Sequence, residues 1–320
     1  MQMNRTRRRT QVDKLLGRAL RGDRRGISQL MSFAENDPHA RIQILSRLYW
    51  RARGDIVGIT GPPGCGKSTL ISQLAKHYRK KGDSVGIVAV DPSSQITGGA
   101  LLGDRIRMGE LAADSKVFIR SMATRGQLGG IARATEDAVR ILAATSTNRV
   151  IIETAGAGQS DVDVKALANT TVVVTSPGLG DEIQALKAGI MEIGDIFVVN
   201  KADKENADQT AQEIYSMISM GEPVNGWRPR VLKTIATTGD GITALAEAIT
   251  QHAEHTRKSI PSEATSDKLR GEVLDSAKRY FEDIKLKEIA SSSEFKRVIA
   301  RVETRRMDPY TAARILVEGN

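Results

Sequence analysis

The chain has 320 residues, 40% of them hydrophobic and 27% charged, which suits one α/β core with extensions. Its single cysteine, Cys65, excludes an internal disulfide framework and a cysteine-rich zinc site, and fits a reducing compartment. Aromatic residues make up only 4%, so stacking platforms for single-stranded nucleic acid are scarce.

The formal net charge of +9 is uneven along the chain. Residues 1–25 hold nine basic side chains (Arg5, Arg7, Arg8, Arg9, Lys14, Arg18, Arg21, Arg24, Arg25) against Asp13 and Asp23, while the remainder has 38 bases and 36 acids. The excess therefore reads as a solvated basic arm, and nucleic acid is not an expected partner. No apolar run approaches the roughly 20 residues that span a bilayer. The basic start lacks the apolar stretch of a secretory signal. A soluble, cytoplasmic protein with no membrane partner is expected.

Residues 11–52 read as helical. Leu15, Leu16, Ala19 and Leu20 share one face, as do Ile27, Leu30, Met31 and Ala34, and Gly22, Gly26 and Pro38 punctuate the segment. From Gly54 onward, short β-branched runs alternate with helical stretches. The expected strands are Ile56–Thr60, Val85–Val90, Val117–Arg120, Val150–Glu153, Thr171–Thr175, Ile196–Asn200 and Val231–Ile235. Helices are expected near 67–80, 131–145, 182–191, 205–219 and 242–255. Several strands are apolar throughout, as in a parallel sheet covered on both faces. After about residue 256 only helical spacing remains, on Leu269, Val273, Ala277, Phe281 and Ile284. Ser291 with Glu294 suggests a capping box, and Asp308-Pro309 an N-cap and first helical residue. The expected organisation is an N-terminal helical extension over 1–53, a nucleotide-binding domain over 54–256 and a helical arm over 257–320. The arm holds too little apolar surface to fold alone.

Gly61-Pro62-Pro63-Gly64-Cys65-Gly66-Lys67-Ser68 fits G-x-x-x-x-G-K-[ST] between an expected strand and an expected helix. Glycines there let the backbone wrap phosphate oxygens, and the helix N-terminus favours an anion. Lys67 is expected to reach the β- and γ-phosphates, and the Ser68 hydroxyl to coordinate Mg²⁺. Asn200-Lys201-Ala202-Asp203 follows an apolar strand, about 140 residues later. A carboxylate there can accept two hydrogen bonds from guanine N1–H and its 2-amino group, which adenine does not offer. The expected nucleotide is GTP. Glu153, with Gly156 three residues on, stands where GTP-hydrolysing P-loop proteins carry Asp-x-x-Gly, an acid for Mg²⁺ and a glycine N–H for the γ-phosphate. Gln159 is a candidate for orienting the attacking water. Asp91 and Asp104 are further candidates for the metal. Ala236 and Thr237 follow the last strand, where a loop covers the base. Pro177 to Lys187 reads as a polar loop capping a helix.

Together these segments resemble the MeaB/ArgK family of P-loop GTPases, which are associated with methylmalonyl-CoA mutase and grouped with nickel-enzyme maturation GTPases. The resemblance covers roughly residues 12 to 318. It is carried by GPPGCGKSTL at 61–70, DPSS at 91–94, TGGALLGDRIRM at 97–108, IETAGAGQSD at 152–161, GDEIQALKAGIMEIGDIFVVNKAD at 180–203 and DPYTAARIL at 308–316. It implies a P-loop α/β fold, GTP/GDP with Mg²⁺, and a chaperone that gates cofactor loading and guards a cobalamin-dependent acyl-CoA mutase. It also implies a homodimer formed through the C-terminal helices. Thr69 joins the nucleotide-binding set; Mg²⁺ would sit around Ser68, Asp104 and Glu153, with Asp91 nearby; Asp181 to Lys187 would form a partner-responsive switch that contributes to hydrolysis. The sequence departs from the family at Ala155, Ala157 and Asp161. It also has Ile235-Ala236 where a Ser-Ala pair is usual. Other readings are a nucleotide-dependent kinase or transport-linked ATPase, a metallocofactor insertase, and a nucleic-acid-binding GTPase using Arg5–Arg9.

Overall fold

Seven apolar runs become the seven strands of one sheet, in the order β3-β2-β4-β1-β5-β6-β7 with every neighbouring pair parallel. The structure, a computed structural model, describes residues 5–91, 109–123, 133–145, 147–154, 164–178, 191–259 and 262–318. The strands are β1 (Asp55–Thr60), β2 (Val85–Asp91), β3 (Val117–Ala123), β4 (Arg149–Glu153), β5 (Thr170–Thr175), β6 (Ile196–Asn200) and β7 (Arg230–Thr234). Each lies within a few residues of its expected span. All residues of β5 and β6 are buried, because helices cover both faces of the sheet and leave none of these side chains to water.

Around the sheet run α1 (Arg5–Leu20), α2 (Arg24–Asn36), α3 (Pro38–Leu48), α4 (Lys67–Lys80), α5 (Gly109–Ala113), α6 (Arg133–Ala144), α7 (Ala207–Ser219) and α8 (Ile242–Ser259). One face packs Leu70, Ile71 and Leu74 of α4 with Leu245 and Ile249 of α8 against Val57, Ile59 and Val174. The other carries α1 to α3 together with α6, so Leu16, Leu30 and Ile44 share a core with Ile141, Val150 and Ile152. The N-terminal helices thus belong to the same compact unit as the sheet, residues 1–259. Their breaks have local causes. Asp37 accepts the amides of His39 and Ala40 while Pro38 takes the first helical position.

The basic arm is only partly solvated, which corrects the sequence reading. Residues 5–9 open α1, and Arg8 is buried in an ion pair with Asp37 at 2.7 Å. Two further pairs hold these helices to the core. Arg120 on β3 meets Glu35 at 2.7 Å, and Arg41 on α3 makes a two-point contact with Asp137 on α6 at 2.5 and 3.2 Å. The Arg41 and Asp137 side chains are only 13% and 5% exposed. Removing one partner therefore leaves a buried charge without this two-point contact. Asp137→Ala is expected to cost about 3 kcal/mol in urea unfolding, and Arg41→Met/Asp137→Leu to recover most of it. An unchanged midpoint for the single variant would show that the pair carries no such role.

Residues 260–320 form a second compact unit. It comprises α9 (Ser262–Tyr280), a π-helical turn (Phe281–Lys285), α10 (Leu286–Ser291), α11 (Ser293–Glu303) and α12 (Pro309–Glu318). The expected capping box is not formed. Ser291 ends α10, with its hydroxyl donating back to Glu288 O, and the extended Ser292 instead accepts the amide of Phe295. Asp308 caps α12 as expected, accepting the amides of Tyr310 and Thr311. Among the described residues no helix is long and apolar enough to cross a membrane.

Candidate nucleotide-binding site

β1 lies between β4 and β5, where the winding of the sheet reverses. Crevices at such points, outside the carboxyl ends of the strands, are where open α/β sheets bind ligands. The glycine-rich loop leaves β1 there and turns into α4. Gly61 has φ +138°, and a Cβ on it would fall 1.9 Å from Val174 O of the neighbouring strand. Gly66, with φ +94° at the N-cap of α4, would drive a Cβ to 2.4 Å from Asn200 Nδ2. Only glycine fits both positions. Pro62 is buried, whereas Pro63, Gly64 and Thr69 are exposed along the loop and the first turn of α4.

Lys67 opens α4. Its ammonium is turned into the loop, donating to Gly61 O at 2.7 Å and Pro62 O at 2.9 Å, and the residue is only 7% exposed. A cation is thereby fixed among the backbone groups that would surround a phosphate. Burial pushes the Cys65 thiol up, against the opposing pull of the Lys67 and Lys201 charges. It stays protonated at neutral pH, and its sulfur serves as a small core group rather than a reactive thiolate.

Ser68, one residue on, donates its hydroxyl to Glu153 Oε1 at 2.6 Å. Glu153 ends β4 and is 8% exposed. A hydroxyl and a buried carboxylate within hydrogen-bond distance of each other, beside a phosphate loop, form the hard oxygen donor set that Mg²⁺ takes. The pair fits that ion. Asp91 ends β2, one strand from Glu153, in the register that aligns Ala89 with Glu153; its side chain lies outside the described residues. So do Asp104, Gly156, Gln159, Asp181 and Lys187.

The base-reading motif is joined directly to the phosphate loop. Asn200, 2% exposed at the end of β6, donates Nδ2–H to Cys65 O at 2.8 Å. Its Oδ1 accepts from Thr234 Oγ1 at 3.1 Å and from the Ala236 amide at 3.0 Å. One amide therefore ties three segments together. Lys201, held at φ +57°, stretches over the loop and donates to Gly64 O at 2.6 Å. The Ala202 amide donates to Thr234 O, and Asp203 follows on the exposed side of the turn. Ala236 is buried and Thr237 exposed. The departure at Ile235 leaves this loop intact, because the bond to Asn200 comes from the Ala236 backbone. Sequence reasoning missed Thr234 as a second anchor. It also missed the buried Thr154–Thr60 hydroxyl contact at 3.0 Å, which joins β4 to β1. The available signal was a threonine closing the strand, after the apolar Ile56–Ile59 for Thr60 and in the mixed run RVLKT for Thr234.

A doubly wound parallel sheet with an anion-cradling loop at its central strand defines a P-loop NTPase. The family model for methylmalonyl-CoA mutase-associated GTPase MeaB matches residues 27–287, and the chain belongs to that family. A Pyrococcus horikoshii protein provisionally named as a GTPase is 45% identical over 312 residues, covering 96% of this chain and 98% of its own. The mouse mitochondrial methylmalonic aciduria type A homolog is 38% identical over 193 residues, covering 59% of this chain and 46% of its own. A crystal structure described as a LAO/AO transport system kinase superposes with TM-score 0.69 over 99% of each chain at 21% identity. At that identity the likeness supports the fold alone.

Proposed function

We propose that this protein binds and hydrolyses GTP. We further propose that it couples the cycle to a cobalamin-dependent acyl-CoA mutase such as methylmalonyl-CoA mutase, gating cofactor loading and protecting the enzyme. The observation that carries the nucleotide reading is the direct tie between the base motif and the phosphate loop, through Asn200 to Cys65 O and Lys201 to Gly64 O. The mutase reading rests on the family description and on the name of the mouse relative.

In this reading the loop from Gly61 to Thr69 wraps the phosphates, and Lys67 holds charge at the β- and γ-oxygens. Asp203 reads guanine under the loop at Ala236 and Thr237. Ser68 and Glu153, joined by Asp91 and Asp104, would hold Mg²⁺, which neutralises phosphate charge when bound. Gly156 is assigned to sensing the γ-phosphate through its amide, and Gln159 to orienting the attacking water. Asp181 and Lys187 lie on a segment that a partner repositions, supplying charge to the transition state as an arginine finger does. Exposed Val273, Leu274 and Tyr310 on the second unit support a homodimer built through the C-terminal helices. The protein is proposed to act in the cytoplasm.

The test is GTP turnover by the full chain, alone and with purified methylmalonyl-CoA mutase. Slow basal hydrolysis accelerated by the mutase is expected. Lys187→Ala should lower the stimulated rate more than the basal one, and an equal loss in both would remove the partner-specific role of that segment. No stimulation by any cobalamin-dependent mutase recovered by capture on the GTP-analogue-loaded protein would overturn the client assignment while leaving the GTPase reading standing.

A further inference from the structure

Part of the positive charge concentrated in residues 1–25 borders a cleft remote in sequence from the phosphate loop. The cleft has a volume of about 230 Å³ and lies between the start of α2 and β3, lined by Arg24, Arg25, Ser28, Phe118, Ile119 and Arg120. β3 is one of the two edge strands of the sheet among the described residues. Ser28 stands one helical turn beyond Arg24, so both project from the same side of α2.

The three guanidinium groups are not equally committed. Arg120 is held by Glu35. Arg24 donates to backbone carbonyls, Ala112 O at 3.4 and 3.5 Å and Asp114 O at 3.3 Å, which are long contacts, and its charge also acts on the Asp114 carboxylate without a close ion pair. The nearby acids have closer partners: Asp114 pairs with Arg79 and Asp23 with Arg18. Arg25 is exposed and has no side-chain partner among the described residues. The amides of Arg25 and Gly26 are already taken by Asp23, so the binding groups of the cleft are side chains. Guanidinium groups present planar forks of donors that match phosphate oxygens. Phe118, on the α2 side of β3, adds apolar wall beside them, while the adjacent Ile119 side chain packs on the opposite face of the sheet.

We infer that this cleft is a second anion site, separate from the nucleotide site, which takes the phosphate monoester of a small ligand carrying an apolar group next to the phosphate. Arg24 and Arg25 bind the phosphate oxygens, the Ser28 hydroxyl donates a third hydrogen bond, and Phe118 contacts the apolar part. A discrete cleft of this size accommodates a small ester, whereas an extended acidic peptide would use the strand edge beyond it.

The test is calorimetric titration of the full chain, its nucleotide site saturated with GDP and Mg²⁺, with phenyl phosphate. Inorganic phosphate, benzoate and a glutamate-rich peptide serve as comparators. Saturable binding of phenyl phosphate is expected, tighter than that of inorganic phosphate or benzoate. Arg25→Ala should weaken it about tenfold, and Arg24→Ala/Arg25→Ala should abolish it. GDP affinity should be unchanged in both variants. Arg25→Ala alone keeps the test sound if loss of the Arg24 contacts disturbs α5. Absence of saturable binding, equal affinity in the Arg25 variant, or binding of the acidic peptide in preference to phenyl phosphate would each overturn the site.

Discussion

Lys67→Ala is expected to weaken GTP binding by on the order of 10²- to 10³-fold and to remove measurable turnover. The size of the effect follows from two losses at one atom. In the proposed site the ammonium supplies the charge facing the β- and γ-phosphates, and in the structure it braces the loop by bonding the carbonyls of Gly61 and Pro62. Alanine leaves those inward-facing carbonyls without their donor and removes the side-chain cation from the phosphate loop. Arginine would not rescue the function, because its wider planar head does not match a pocket closed by two carbonyls 2.7 and 2.9 Å from one nitrogen. Binding of a fluorescent GTP analogue, read beside circular dichroism to verify the fold, measures this. Undiminished turnover in a folded Lys67→Ala protein would remove the loop from the proposed site.

Asp203→Asn is expected to lower the preference for GTP over xanthosine triphosphate by on the order of 10²-fold. A carboxylate accepts from both guanine donors. An asparagine amide has one acceptor and one donor, and its donor matches the carbonyl that xanthine carries in place of the 2-amino group. The flanking backbone supports a clean reading of this change. Lys201 and Ala202 are fixed to Gly64 O and Thr234 O, so the substitution alters which base is accepted without releasing the turn. Competition between the two triphosphates in a turnover assay measures the ratio. An unchanged ratio would refute base recognition by Asp203.

The strands and the phosphate loop were legible because each depends on local chemistry. Runs such as Thr171–Thr175 and Ile196–Asn200 are too apolar to lie anywhere but between two helical layers, and a G-x-x-x-x-G-K-[ST] turn needs glycine at sites that other residues cannot occupy. The joins between distant segments were not legible. Asn200 reads as part of a base-recognition motif, yet its amide spends its hydrogen bonds on Cys65, Thr234 and Ala236. Only the sheet order brings those positions together. Arg8 looks like one of several solvated arginines in the sequence, because the acid that buries it, Asp37, lies 29 residues away at a helix junction. The displaced cap at Ser292 shows a finer limit. Two adjacent serines offer the same hydroxyl, and the end of α10 decides which one is extended and free to accept an amide.

The central place of β1 has a consequence for how the protein is made. β1 pairs with β4 and β5 and with no strand nearer in the chain. During synthesis the residues of the phosphate loop leave the ribosome early, but their supporting strand has no edge to join until residues 149–175 have followed. Asn200, which donates to the carbonyl of Cys65, and Thr234, which holds the Asn200 side chain, arrive later still. Such long-range pairings must close large loops before they gain contacts, which slows folding. The nucleotide pocket is therefore among the last parts of the first unit to take shape. A nascent or truncated chain ending before β6 would carry the complete phosphate-binding sequence and yet be unable to retain nucleotide.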